Sequence, residues 1–194
     1  MTRRRLMMLL PAGLLAAGLA GAGAWWATQP VASAAAAIGG PFRLIDGDGH
    51  GVTDQSFRGK AMLVYFGYTH CPDACPTALQ DMAAAVDKLT PAERAQVQVV
   101  FITVDPARDT PAVMKSYVSA FGPGIEGLTG SPGAVAQAAR EYRVYYARHD
   151  EANGDYSMDH SSIIYVMDKQ GRFAGILRDG APDAMADSIR KLVG

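Results

Sequence analysis

Two long apolar runs near the middle of the chain predict the buried centre of the fold. Residues 61–67 carry no charge and show no alternation of polar and apolar positions, which is typical of a strand covered on both faces. Residues 97–104 also form an apolar run without charged residues and predict a second buried strand. Residues 163–167 and 173–177 predict two more strands, joined by a hairpin turn across the polar residues 168–171.

Segments with helical spacing of apolar residues alternate with these strands. The first of these segments follows residues 71–76, which contain both cysteines, and it carries Leu79, Met82, Ala83, Val86 and Leu89. Helix-start signals occur at Thr90-Pro91, Asp109-Thr110-Pro111 and Ser131-Pro132, and a last helix is expected over about 183–193. With a further strand near 41–44, this order predicts an α/β fold of the thioredoxin-like sandwich type, a central mixed sheet flanked by helices.

The N-terminus has the pattern of an export or membrane segment. Arg3–Arg5 precede 22 uncharged residues, Leu6–Ala27. A helix of that length would measure about 33 Å and could cross a membrane with the rest of the chain outside the cytoplasm. Ala32-Ser33-Ala34 also fits a signal-peptidase site. Residues 1–34 are therefore predicted to be a cleaved signal or a membrane anchor with a short linker, and residues 35–194 the folded domain.

Composition limits the classes of partner. The 194-residue chain has a formal net charge of −1 and 19% charged residues. No basic run appears after the first five residues, which argues against a nucleic-acid partner. The domain left after the N-terminal segment is long enough for one hydrophobic core.

The only two cysteines, Cys71 and Cys75, lie where an apolar strand gives way to a helix. A helix N-terminus favours the thiolate, which is both the nucleophilic and the metal-binding form of cysteine. The pair therefore predicts redox chemistry or a soft-metal site. A structural disulfide is the competing interpretation, although a bridge across so short a loop removes little entropy from the unfolded chain. Thioredoxin-type dithiols have two residues between their cysteines; the three found here are compatible with metal chelation.

Two thiolates alone would hold copper weakly among competing thiols, so a third donor is expected. The four histidines are His50, His70, His149 and His160. The side chain of His70 should diverge from that of its neighbour Cys71, and His50 and His149 fall in a polar turn and a polar loop, where solvation is expected. His160 directly precedes a buried strand and is the best candidate. The alternative is a loop histidine that pairs with Asp159 or caps the strand.

Two sulfur donors and one imidazole suit Cu(I), which is soft and accepts low coordination, whereas Zn(II) would require a fourth ligand. Met158 could offer a thioether donor, but a position in the core or at its rim is expected. Carboxylates are hard donors that Cu(I) does not favour, so Asp109 is expected to cap a helix and Asp105 to support the loop or the surroundings of the site. Arg108 is expected to meet a carboxylate or a partner.

Three sequence blocks resemble the signatures of the Sco/SenC family: CPDACP at 71–76, VDPARDTP at 104–111, and DHS at 159–161 before IYVMD at 164–168. The resemblance covers the chain from about Phe42 to its end. It implies a copper metallochaperone with the ligands Cys71, Cys75 and His160, binding Cu(I) and with Cu(II) left open.

The same resemblance implies partners and a location. The partners would be cytochrome c oxidase subunit II, which contains a dinuclear copper site, and other periplasmic copper chaperones or thioredoxin-like reductants. The protein would be anchored at the periplasmic face of the inner membrane or exported in soluble form. Delivery of copper and reduction of the target thiols both remain open. So does any enzymatic activity, since Cys71 and Cys75 could instead form the disulfide of a thiol–disulfide oxidoreductase or peroxidase that carries no copper. A copper-dependent redox signal is a third alternative.

Overall fold

The computed structural model describes residues 38–152, 154–178 and 180–194. The predicted signal or anchor within residues 1–34 lies outside this part of the chain. Among the residues described, no helix is both long enough and apolar enough to cross a membrane.

Strands and helices alternate along the described residues. The strands are β1 Arg43–Ile45, β2 Gly51–Thr53, β3 Ala61–Gly67, β4 Val97–Thr103, β5 Ile125–Leu128, β6 Tyr146–Asp150, β7 Tyr156–His160, β8 Ile164–Met167 and β9 Phe173–Leu177. The helices are α1 Ala74–Asp87, α2 Pro91–Arg94, α3 Pro111–Ser119, α4 Pro132–Glu141 and α5 Pro182–Val193, with a 3₁₀ turn at Asp54–Phe57.

The central sheet has the strand order β5-β4-β3-β8-β9. Strands β3, β4 and β5 run parallel, whereas β8 is antiparallel to β3 and β9 is antiparallel to β8. The prediction of a mixed sheet flanked by helices is confirmed. Every residue of β3 is buried, as its uninterrupted apolar sequence requires.

The register of the sheet creates the edge at which the candidate site lies. Gly67 at the end of β3 is level with Thr103 at the end of β4, and Tyr65 pairs with Ile164 at the start of β8. The carboxyl ends of two parallel strands and the amino end of an antiparallel strand therefore meet at one edge. Residues that follow β3 or β4, and residues that precede β8, are brought together there.

The helix starts correct one sequence prediction. The Thr90 and Ser131 side chains cap their helices as predicted, accepting hydrogen bonds from the backbone N–H groups of Glu93 and Ala134. Asp109 was predicted to cap α3, and this is wrong: the Thr110 hydroxyl accepts the bond from the Val113 N–H at 3.4 Å. The Asp109 side chain instead turns into the interior, where it is fully buried.

The segment around His149 was predicted to be a polar loop, and this is wrong, although His149 itself is exposed as expected. The segment forms β6, which pairs with β7 as a two-stranded hairpin, and the His149 imidazole lies 2.7 Å from the Asp159 carboxylate. The two strands are short and rich in exposed polar residues, so their apolar pattern is weak. The turn between the strands contains Gly154 at a positive φ of 87°, a backbone conformation that favours glycine.

Candidate metal centre

The two cysteines lie at the junction between β3 and α1. Cys71 is half-buried in the loop after the strand, and Cys75 is fully buried in the first turn of the helix. The backbone N–H of Cys75 points at the Cys71 Sγ at a distance of 3.5 Å. Both thiols are free. A loop of this length and a helix start thus bring both sulfur atoms to the same edge of the sheet.

Gly67 makes room for the Cys75 thiol, a role that sequence analysis missed. A Cβ atom at Gly67 would lie 2.5 Å from the Cys75 Sγ and 2.8 Å from the Phe101 Cε2 atom. Real Cβ atoms do not approach other atoms so closely. The absence of a side chain therefore lets the thiol pack against the strand, and the only sequence signal was a glycine that ends an apolar run.

His160, the last residue of β7, reaches the same point from 85 residues further along the chain: its Nε2 atom is 3.4 Å from the Cys75 Sγ. Its Nδ1 atom is 3.4 Å from the Ser161 carbonyl oxygen. A proton on Nδ1 donates to that oxygen and leaves the lone pair of Nε2 facing the sulfur atoms, which is the tautomer that a metal ligand needs. The alternative pairing with Asp159 is not seen, because His149 takes that carboxylate.

The ligand atoms of Cys71, Cys75 and His160 all lie within 4.8 Å of one another, so this group could hold a metal ion. Two sulfur atoms and one imidazole nitrogen form a soft donor set. The other histidines are placed elsewhere. The His50 ring lies 3.3 Å from the Asp46 carboxylate, and the exposed His70 ring lies 3.1 Å from the Thr69 hydroxyl.

The two thiols differ in acidity. The neighbouring Cys75 thiol donates a hydrogen bond that lowers the pKa of Cys71 to about 4, and the backbone N–H groups of Cys75 and Asp73 act in the same direction against the cost of burial. The same hydrogen bond, together with burial, raises the pKa of Cys75. The shifts favour the thiolate at the partly exposed Cys71 and the protonated thiol at the buried Cys75.

Two tyrosine rings that the sequence did not single out fix the plane of His160. Tyr65 on β3 and Tyr68 just after it each lie 5.9 Å from the imidazole, centroid to centroid, at interplanar angles of 87° and 85°. These edge-to-face contacts restrict the rotation of the ring. No sequence signal for this contact existed, because Tyr65 fits an ordinary buried strand and Tyr68 fits the loop that follows it.

Asp109 holds the loop that leads to Cys71. Its carboxylate accepts hydrogen bonds from the Thr69 N–H at 3.1 Å, from the Thr69 hydroxyl at 2.6 Å and from the Thr103 hydroxyl at 2.6 Å. Asp105 lies in the surroundings of the site, as predicted, and Arg108 meets its carboxylate at 2.5 Å. None of these groups is placed as a ligand, in agreement with the preference of Cu(I) for soft donors.

A protein-family model described as SCO1/SenC matches residues 30–194. The chain belongs to the SCO1/SenC family. Among its SCO1/SenC relatives, the protein SCO1 homolog 1, mitochondrial, of Arabidopsis thaliana is 45% identical over 157 residues, covering 80% of this chain and 47% of the relative. SenC of Rhodobacter capsulatus is 45% identical over 159 residues, covering 81% of this chain and 71% of the relative. The chain thus spans about half the length of the Arabidopsis relative, and its relatives include mitochondrial and bacterial proteins.

Solved structures of SCO1/SenC proteins share the fold. The structure of Bradyrhizobium japonicum ScoI with copper bound has a TM-score of 0.75 at 45% identity and covers 80% of this chain and 99% of that one. A more distant structure, BsSco, has a TM-score of 0.63 at 22% identity over 81% of this chain and 94% of that one. It is described as having a disulfide switch and as a member of the Sco family of cytochrome c oxidase assembly proteins. The thioredoxin-like SCO1/SenC fold predicted from the sequence is confirmed.

Proposed function

We propose that this protein is a copper chaperone that binds copper through Cys71, Cys75 and His160. It would deliver the copper to the dinuclear copper site of cytochrome c oxidase subunit II, or prepare the thiols of that site. The observation that carries the proposal is the approach of two sulfur atoms and one imidazole nitrogen to within 4.8 Å of one another. A copper-bound structure in the same family, 45% identical to this chain, supports the choice of metal.

The site suits a metal that must be both held and released. Cys71 offers a thiolate at neutral pH, because its pKa is lowered to about 4, whereas Cys75 must lose its proton when the metal binds. The half-exposed Cys71 lies on the accessible side of the site. An incoming donor from a partner can therefore replace the ligands one at a time.

Oxidation of the two thiols would prevent binding. Forming a Cys71–Cys75 disulfide passes two electrons to an acceptor disulfide, which becomes a dithiol with one proton from the Cys75 thiol and one from solvent. Both sulfur donors are then lost. A dithiol of a thioredoxin-like reductant would reverse this step by disulfide exchange. In an oxidising compartment, copper capture would depend on such a reductant.

The pKa difference also supports a second candidate function, a thiol–disulfide oxidoreductase without copper. The Cys71 thiolate is partly accessible and would attack a partner disulfide, and Cys75, four residues later, would resolve the mixed disulfide. In this function His160 would only tune the acidity of the thiols.

A Cu(I) titration of the reduced full-length chain against a competing chelator separates the two functions. Replacing His160→Ala should lower Cu(I) affinity by about tenfold or more while disulfide exchange continues. His149→Ala is the matched control, because this exposed imidazole pairs with Asp159 instead of facing the thiols. If His160→Ala binds Cu(I) as tightly as the parent chain, His160 is not a ligand and the oxidoreductase is favoured.

The proposal extends to location and partners. Residues 1–34 would act as a signal or membrane anchor, so that the domain of residues 35–194 would work on the periplasmic side. There it would meet oxidase subunit II and other copper chaperones or thioredoxin-like reductants. The Arg3–Arg5 run before the apolar segment supports this orientation. Protease treatment of spheroplasts tests it, since degradation only after disruption of the inner membrane would contradict it.

A further inference from the structure

The hairpin that ends in His160 has little backbone attachment to the rest of the domain. Within the described residues, β6 and β7 form a sheet of their own and are not part of the five-stranded sheet. A two-stranded hairpin by itself is marginally stable in water. The position of His160 therefore depends on side-chain contacts between the hairpin and the domain.

Arg108, in the loop after β4, contacts the start of β7 in three ways. Its Nη1 donates to the Tyr156 carbonyl oxygen at 2.9 Å and to the Asp155 carboxylate at 3.2 Å. Its guanidinium carbon lies 3.6 Å from the centroid of the Tyr156 ring. The side chain is only 17% exposed, so these contacts are shielded from competing water.

Asp105 closes the same cluster. One carboxylate oxygen accepts from the Arg108 Nε at 2.5 Å, and the other accepts from the Tyr156 hydroxyl at 2.9 Å. Three side chains from two separate segments thus form a closed set of contacts, which we call the Arg108 cluster: Asp105, Arg108 and Tyr156. A closed set of this kind fixes the start of β7 relative to the end of β4.

The geometry of a strand transmits this fixation to His160. Alternate residues of a strand face the same side, so Tyr156, Met158 and His160 all face the domain. Met158 packs against the core. The Tyr68 ring contacts the His160 ring, and the Arg108 guanidinium lies 5.8 Å from the Tyr68 centroid. Arg108 therefore contacts two rings, one at the start of β7 and one against the imidazole.

We propose that Arg108 is a positioning residue for the metal centre. Through Asp105 and Tyr156 it fixes the hairpin so that the His160 Nε2 faces the Cys75 Sγ. This inference rests on the proposed function, because it requires His160 to be a ligand. It adds that the histidine binds only when the Arg108 cluster is intact, whereas the two thiolates bind without it.

The test compares Arg108→Ala with Arg148→Ala in the reduced full-length chain. Arg148 is a matched control: its guanidinium carbon also lies 3.6 Å from the Tyr156 centroid, but it pairs with Asp150 on the hairpin and is 53% exposed. Arg108→Ala should lower Cu(I) affinity about tenfold, while Arg148→Ala should change it less than twofold. Arg108→Lys keeps the charge without the planar fork and should fall between the two.

X-ray absorption of the Cu(I)-loaded variants provides a readout that a general loss of stability would not move. The parent chain should show two sulfur scatterers and one imidazole, and Arg108→Ala should retain the sulfur scatterers and lose the imidazole signal. Tyr156→Phe, which removes only the hydroxyl bond to Asp105, should weaken the imidazole signal in the same direction and is the second variant if Arg108→Ala folds poorly. A full imidazole signal in both variants would overturn the inference.

A double-mutant cycle with His160→Ala separates the two proposals. If Arg108 acts through His160, Arg108→Ala should have no further effect on Cu(I) affinity in the His160→Ala background. A further loss in that background would show a role independent of the histidine and would overturn the inference while leaving the proposed function intact. If His160→Ala alone has no effect, it is the proposed function that fails.

Discussion

Replacement of Gly67 by alanine tests whether the Cys75 thiol packs against β3. The added methyl group would lie 2.5 Å from the Cys75 Sγ, 2.8 Å from the Phe101 ring and 3.2 Å from the Tyr65 ring. Favourable contacts between such atoms occur at about 3.5–4.0 Å. The thiol would therefore have to retreat by about 1 Å.

The surroundings leave little freedom for this movement. Gly67 lies at the end of the fully buried β3, and its carbonyl oxygen accepts a hydrogen bond from the Val104 N–H at 2.8 Å. Overpacking of a buried site costs about 1–3 kcal/mol, and a chain of this size loses about 2–4 °C in Tm per kcal/mol. The Gly67→Ala variant should therefore lose about 2–12 °C in Tm. Displacement of the Cys75 Sγ from the His160 Nε2 should also lower Cu(I) affinity by about tenfold, which corresponds to about 1.4 kcal/mol.

Thermal unfolding and chelator competition on the reduced full-length chain measure both effects. Gly133→Ala is the matched control: a Cβ there meets nothing within 4 Å, and the residue lies in α4. Since alanine favours a helix over glycine, this control should be neutral or stabilising by up to about 1 kcal/mol. If Gly67→Ala keeps both the Tm and the Cu(I) affinity of the parent chain, the close packing of the thiol on the strand is refuted.

Three further predictions concern the Cys71 thiol, the Asp109 carboxylate and the cap of α3. The pKa of Cys71 is lowered to about 4, so its alkylation by iodoacetamide should be nearly independent of pH between about 5 and 7 and slow below that range. Peptide mass spectrometry measures the rate. A rate that climbs only above about pH 8 would contradict the lowered pKa. Asp109→Asn replaces an oxygen that accepts hydrogen bonds by a donor group and should lower the free energy of unfolding in urea by about 1–3 kcal/mol; an unchanged midpoint and slope would mean that the threonine contacts contribute nothing. Thr110→Ala removes the cap of α3 and should cost about 0.5–2 kcal/mol in the same assay, and a cost near zero would argue against the observed cap.

Some parts of the fold follow directly from local sequence. A strand buried on both faces tolerates almost no polar residue, so β3 is visible as an apolar run with the bounds that the structure has. The caps at Thr90 and Ser131 are similarly local, because the capping side chain and the N–H groups it satisfies are three residues apart. The hairpin β6–β7 was missed because its exposed polar residues give little apolar alternation.

The assignment of Asp109 shows why local rules fail at the site. Pro111 at the start of α3 marks Thr110 as the cap, as Pro91 and Pro132 mark Thr90 and Ser131, but no local rule says where the Asp109 carboxylate lies. Its position depends on the hydroxyls of Thr69 and Thr103, which approach from β3 and β4 and supply the donors that a buried carboxylate needs. That information lies in the packing of distant segments.

The sequence by itself determined the thioredoxin-like fold, the cysteine pair at the strand–helix junction and His160 as the candidate third donor. Only the tertiary structure decided that the imidazole meets the sulfur atoms, because 85 residues separate His160 from Cys75 and their contact requires β8 to run antiparallel beside β3. The tertiary structure also decided which groups hold that contact in place: the empty space at Gly67, the rings of Tyr65 and Tyr68, and the Arg108 cluster. Each of these acts through distances between segments far apart in the chain, and spacing along a sequence does not encode such distances.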